Sequence, residues 1–190
     1  MKKSKTLLVI CLSIMLSTFL MACSPLVKDT PDGQKIFISS DKMYQFTAPS
    51  IWERDHNTIT NGATIAATTS NQEQALIVIA TDKEVDEKTQ EPLMTFSGFN
   101  RNTLTKFAES TDDFVIISQQ ETTISGYPVI ATKVSHTVKK KDTISWIYVM
   151  DYERNNQFLR INAFTYHPEE TENSEIIERV LLSFEDYTAE

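Results

Sequence analysis

Cysteine is nearly missing from this 190-residue chain: Cys11 and Cys23 are the only two. Everything after Cys23 therefore has no disulfide, no thiolate nucleophile and no cysteine-based metal site. Glycine is scarce too, with four isolated residues. A phosphate-cradling loop needs several glycines close together, so this chemistry is excluded. His56, His136 and His167 have no second His or Cys at ligand spacing, and no HExxH pair occurs. Ser125-Gly126 lacks the surround of a nucleophile elbow. These absences argue against an enzyme. They leave no candidate catalytic residue, no cofactor and no metal ligand set.

Positive charge is also short. The chain has 18 basic and 26 acidic residues. The first 22 residues take three lysines (Lys2, Lys3, Lys5) and no acids, which leaves 15 against 26 and a net charge of −11. Nucleic-acid binding needs a basic patch to neutralise phosphates, so it is disfavoured. Docking on anionic lipid by charge alone is disfavoured for the same reason. The one basic run, Lys139-Lys140-Lys141, lies between two strand-like segments and reads as a solvated hairpin tip.

The N-terminus carries a different signature. Three lysines precede an apolar run from Leu7 to Leu20, and Leu20-Met21-Ala22-Cys23 follows, directly before Ser24-Pro25. Charge, a short apolar stretch and a small residue are the layout of an export signal. The run is short for a span of about 20 apolar residues. Leu, a spacer, Ala and Cys resemble the lipobox of bacterial lipoproteins. That resemblance implies a signal peptide over residues 1–22 and a lipid on the Cys23 thiol. The acyl chains would contribute about 0.8 kcal/mol per buried CH₂, enough in pairs to hold a protein at a bilayer. The expected location is the extracytoplasmic face of the cell membrane, or the outer membrane in a two-membrane bacterium.

Residues 23–35 hold two prolines, a glycine and mixed polar groups, and read as a flexible tether. A single domain is expected over 36–187. Short strands are expected at 36–38 and 43–46. Ala63–Thr69 and Ala75–Thr81 read as a hairpin, with Leu76-Ile77-Val78-Ile79 apolar on both faces as a central strand should be. Pro92–Glu109 shifts to helical spacing, with Leu93, Phe96, Phe99, Thr103 and Phe107 near one face and Pro92 suited to the first turn. Strand patterns return over 114–123, 129–138, 143–152 and 157–166, joined by turn residues, the last three forming a meander. A helix over 169–184 closes the domain, with acids near its N-terminus. Strands, helix, strands, helix, with hairpin links, imply an α+β fold: an antiparallel β-sheet with helices packed on it.

Tyr44-Gln45-Phe46-Thr47-Ala48-Pro49 with Trp52, the Ile124-Ser125-Gly126-Tyr127-Pro128 step, the Phe158–Phe164 strand and the Ile177–Phe184 helix occur in an order that resembles the PsbP-like fold. That family includes the photosystem II extrinsic P subunit and bacterial lipoproteins of the DcrB-like group. The resemblance implies an α/β/α sandwich and no single function.

Two functions follow as expectations. The first is a non-enzymatic, membrane-tethered binding or assembly module for a protein partner. Its docking face would be aromatic, from Tyr127, Tyr148, Tyr152, Phe158 and Tyr166. The second is small-ligand or cation binding, in a cleft beside Trp52 or at the acidic loops Asp82-Glu84-Asp86-Glu87, Asp112-Asp113 and Glu169-Glu170-Glu172. Trp52, Trp146, the three histidines and most of these acids are otherwise expected to be packing or solvated surface residues.

Overall fold

The computed structural model describes residues 26–88, 92–166 and 171–188. The signal segment 1–22, Cys23, His167, Glu169 and Glu170 lie outside them. No described helix is long and apolar enough to cross a membrane.

Eleven strands are described, in two antiparallel sheets. They are β1 (Val27–Asp29), β2 (Gln34–Ile38), β3 (Tyr44–Pro49), β4 (Trp52–Arg54), β5 (Ile65–Thr69), β6 (Gln74–Asp82), β7 (Asp112–Ile124), β8 (Tyr127–Val138), β9 (Lys141–Tyr152), β10 (Gln157–Thr165) and β11 (Glu185–Asp186). The helices are α1 (His56–Thr60), α2 (Phe96–Glu109) and α3 (Thr171–Leu182). The small sheet has the order β1-β2-β3-β11 and the large one β4-β5-β6-β10-β9-β8-β7. The meander β7-β8-β9-β10 is set by its turns. Ser125 and Gly126 are both left-handed, as are Lys139 and Lys140. Two consecutive positive-φ residues match the right-handed twist of the strands they join. Asn156, also left-handed, closes the β9–β10 link after a 3₁₀ turn at Glu153–Asn155.

Alternation then assigns the faces of the large sheet. Leu76, Val78, Trp146, Met150, Leu159 and Ile161 point inward to the core. There they meet Phe37, Tyr44 and Phe46 of the small sheet and Ile177, Val180 and Leu181 of α3. Phe184, just past α3, sits edge-on to Phe46 at 5.3 Å between ring centres. Helix α2 lies on the opposite face, where Phe99 stacks on Phe158 at 4.8 Å. The result is the expected α+β architecture, helix, sheet, helix, with the small sheet added beside α3.

Three expectations are corrected. Residues 27–29 belong to the fold, because Val27, Lys28 and Asp29 pair with Phe37, Ile36 and Lys35; the tether reading fails from Val27 onward. Helix α2 starts at Phe96 rather than Pro92. Thr95 caps it, its Oγ1 accepting from Gly98 N at 3.1 Å, while Pro92 bridges to Val85. The five aromatics form no exposed face. Tyr152 is fully buried, 4.8 Å from the half-buried Tyr127, and Phe158 is buried on the other side of the sheet.

Candidate functional site

The outer face of the large sheet is the one that α2 covers only in part. Along β10 this face carries Phe158, Arg160, Asn162 and Phe164; along β6 it carries Ala75, Ile77, Ile79 and Thr81. Phe96, Phe99 and Phe107 run down one side of α2 and dock on Phe158 and His136. Between α2 and the β6–β10 pair a cleft of about 350 Å³ remains. Its walls are Ile79, Phe99, Phe158, Leu93 and Met94, and its polar lining includes Arg160, Lys106, Asn102 and Thr103. Leu93 is 63 % exposed and Met94 42 %, so two apolar side chains stand at the mouth.

The charges in this cleft are unequal in status. Lys83 pairs with Asp151 and lies over the Phe158 ring at 5.0 Å, so its charge is committed. Asp82 accepts from Gln157 Nε2 at 2.7 Å. Glu84 is exposed at the rim. Arg160 is half-buried and has no ion pair or hydrogen bond to its guanidinium among the described residues. Burial lowers its pKa from the ordinary arginine value. Arg54 shows the usual remedy: its guanidinium donates to Leu26 O at 3.2 Å and Ile38 O at 3.3 Å. Two residues along from Arg160, the Asn162 Oδ1 is buried and unpartnered.

A second cleft, of about 370 Å³, opens farther along the same sheet face. Ala66, Thr68, Ala75, Ile77 and Phe164 form its floor, and Lys139 and Lys141 of the β8–β9 hairpin stand at its side. Lys141 Nζ lies over the Tyr166 ring at 5.0 Å. The basic run is thus a hairpin tip, with two of its lysines beside a cleft.

The edge of the large sheet is a third feature. Strand β7 is 13 residues long and, among the described residues, pairs only with β8. Val115, Ile116 and Ile117 are 56 %, 47 % and 52 % exposed, three apolar residues in a row. The register shift between Ile116 and Ser118 leaves Ile117 without a Cα partner in β8. From Ser118 to Ile124 the pairing is regular. The strand contains no lysine and no proline, the residues that commonly blunt an edge.

The sequence-expected residues are dispersed. Trp52 is fully buried in the core with its Nε1 unpartnered, which fits the packing reading and removes the cleft beside it that the second function needed. Trp146 is a core residue as expected, donating to Glu178 Oε1 at 3.2 Å. His136 is buried rather than at the surface, bonded through Nε2 to Ser145 Oγ at 2.8 Å; burial lowers its pKa. Among the described residues no group of three His, Asp or Glu side chains converges, so the acidic loops 82–87 and 112–113 build no cation site there. A convergent polar cluster around Asp186 was not foreseen. Asp186 accepts from Tyr152 OH at 2.9 Å and Tyr127 OH at 3.0 Å and pairs with Arg154 at 3.1 Å. It fastens β11 to the large sheet, and burial and the Asp186 carboxylate raise both tyrosine pKa values.

No protein-family model matches the chain. No curated protein matches it either. Solved structures do. Cyanobacterial PsbP from Synechocystis superposes with a TM-score of 0.60 at 14 % identity, over 88 % of this chain and 99 % of that one. The Ran-binding protein Mog1p of Saccharomyces cerevisiae gives 0.51 at 10 % identity, over 80 % and 94 %. LpqN of Mycobacterium tuberculosis, described as involved in cell envelope biogenesis, gives 0.51 at 10 % identity, over 85 % and 90 %. The class of protein is therefore defined by architecture: this chain has the PsbP-like α+β fold.

Proposed function

We propose that the chain is a lipoprotein, tethered through Cys23 on the extracytoplasmic face of a membrane, that binds a protein partner and performs no catalysis. The observation that carries the reading is the β7 edge. A row of unpaired backbone donors and acceptors can take an extended segment of another protein as an added strand. Ser118–Ile124 supplies the regular ladder, and the bulged Val115–Ile117 stretch supplies apolar anchors beside it. The anchor at the N-terminus would restrict the search for a partner to the membrane surface. Two neighbours in fold are named for binding a protein and for a role in cell envelope biogenesis, and a role of that kind is proposed here.

The test is a photo-crosslinking amino acid placed at Ile117 in intact cells, with Glu53 on the short β4 edge as control. A discrete adduct with one other protein from position 117, absent from position 53 and lost in Cys23→Ala, is the expected result. Free monomer alone would overturn the reading. An adduct of two copies of this chain would replace the foreign partner by self-association.

A further inference from the structure

We propose that the cleft between α2 and the β6–β10 pair binds a small amphiphile with an apolar body and one carboxylate, the carboxylate seated on Arg160. The volume, about 350 Å³, lies at the lower end of the ~300–1,000 Å³ typical of small-molecule sites. Apolar atoms make up the larger share of its lining surface, and charged and polar side chains surround them, as an amphiphile would need. Phe99 and Phe158 form a stacked aromatic wall, and Leu93 and Met94 supply apolar surface at the mouth.

Arg160 decides the sign of the head group. A half-buried guanidinium loses hydration, and folding normally repays this with a carboxylate or carbonyl partner. None is present among the described residues. The charge of Lys83, also in the lining, is already neutralised by Asp151. The acids lining the cleft do not substitute: Asp82 is occupied by Gln157, and Glu84 is exposed and screened by water. The guanidinium fork fits a carboxylate bidentately, and Lys106 on α2 adds a second positive charge to the lining. A cation would meet the positive charges of Arg160 and Lys106, and a neutral apolar molecule would leave Arg160 without a partner among the described residues. The site does not depend on the β7 edge or on Cys23, so it stands or falls apart from the partner-binding reading.

Equilibrium dialysis of the full chain against octanoate and 4-phenylbutyrate, each beside its neutral amide, tests the proposal. Both acids should bind more tightly than their amides. Arg160→Gln should weaken the acids about tenfold or more, as expected for a lost charge-assisted pair, and leave the amides unchanged. Leu93→Asp, at an exposed position, should weaken the acids as well, and it decides the matter if Arg160→Gln does not fold. Equal binding of acid and amide to the wild type, or acid binding unchanged in the folded variants, would overturn the site.

Discussion

His136 shows what one side chain contributes when a strand position turns out to be buried. It sits under α2, edge-on to Phe107 at 5.0 Å and bonded to Ser145. Burial disfavours its charged form, so its folded pKa lies below the ordinary value of about 6.5. The unfolded chain then binds the proton more readily. This group costs nothing above about pH 6.5 and removes stability as pH falls from there toward the lower folded pKa. Urea unfolding at pH 7.5 and 5.5 should show the wild type losing more stability on acidification than His136→Gln. Equal losses would mean that the ring charges in place. Arg160 is the converse case, a charge that stays and lacks a partner among the described residues. A signal for it was present in the sequence. Gln157–Thr165 alternates, and Arg160 shares its parity with Phe158 and Phe164, so a sheet face that a helix covers was bound to hold an arginine. Picking Arg160 out needed the position of α2, which periodicity does not give.

At the scale of elements, hairpins were legible because turns write themselves in residue types. The β5–β6 hairpin and the β8-β9-β10 meander fall where they were expected. Facing was less legible. Tyr152 pairs with Gln157, so Phe158 opposes Asp151 and lands on the opposite side from Tyr148 and Tyr152. That offset depends on the 3₁₀ turn at Glu153–Asn155, and one residue more or less would reverse it. Strand β1 was missed because three residues, Val27-Lys28-Asp29, carry no pattern and form a strand only by pairing with β2. The Lys139-Lys140 turn is legible in another way. Both residues have positive φ (50° and 66°), a conformation that costs a side-chain-bearing residue energy, and neither is Gly or Asn. Lys139→Asn with Lys140→Gly should therefore stabilise the hairpin by about 0.5–1 kcal/mol, read as a raised urea midpoint at constant slope. A lowered midpoint would mean that the two lysine side chains, Lys139 beside the cleft among them, contribute more than their backbone strain costs.

At the scale of the whole molecule, the two sheets of the described residues share one core cluster. Phe37, Tyr44 and Phe46 of the small sheet contact the same interior as Trp146, Met150 and Tyr152 of the large one, and α3 with Phe184 closes it. Tyr44 sits 5.6 Å edge-on from Tyr152, which joins the sheets ring to ring. Asp186 adds a polar link, since β11 pairs with β3 while its carboxylate is held by two tyrosines of the large sheet. With no disulfide available after Cys23, this shared packing must carry the stability of the described fold, and the two sheets should unfold together. Phe46→Ala is the sharpest probe, because Phe46 is fully buried in the small sheet and touches Phe184. The variant should lose about 3–5 kcal/mol, and far-ultraviolet and near-ultraviolet circular dichroism should still report one coincident transition. An early transition seen by only one of the two signals would show that the small sheet melts alone. The tyrosine and phenylalanine contacts between the sheets would then be surface packing rather than the centre of one cooperative unit.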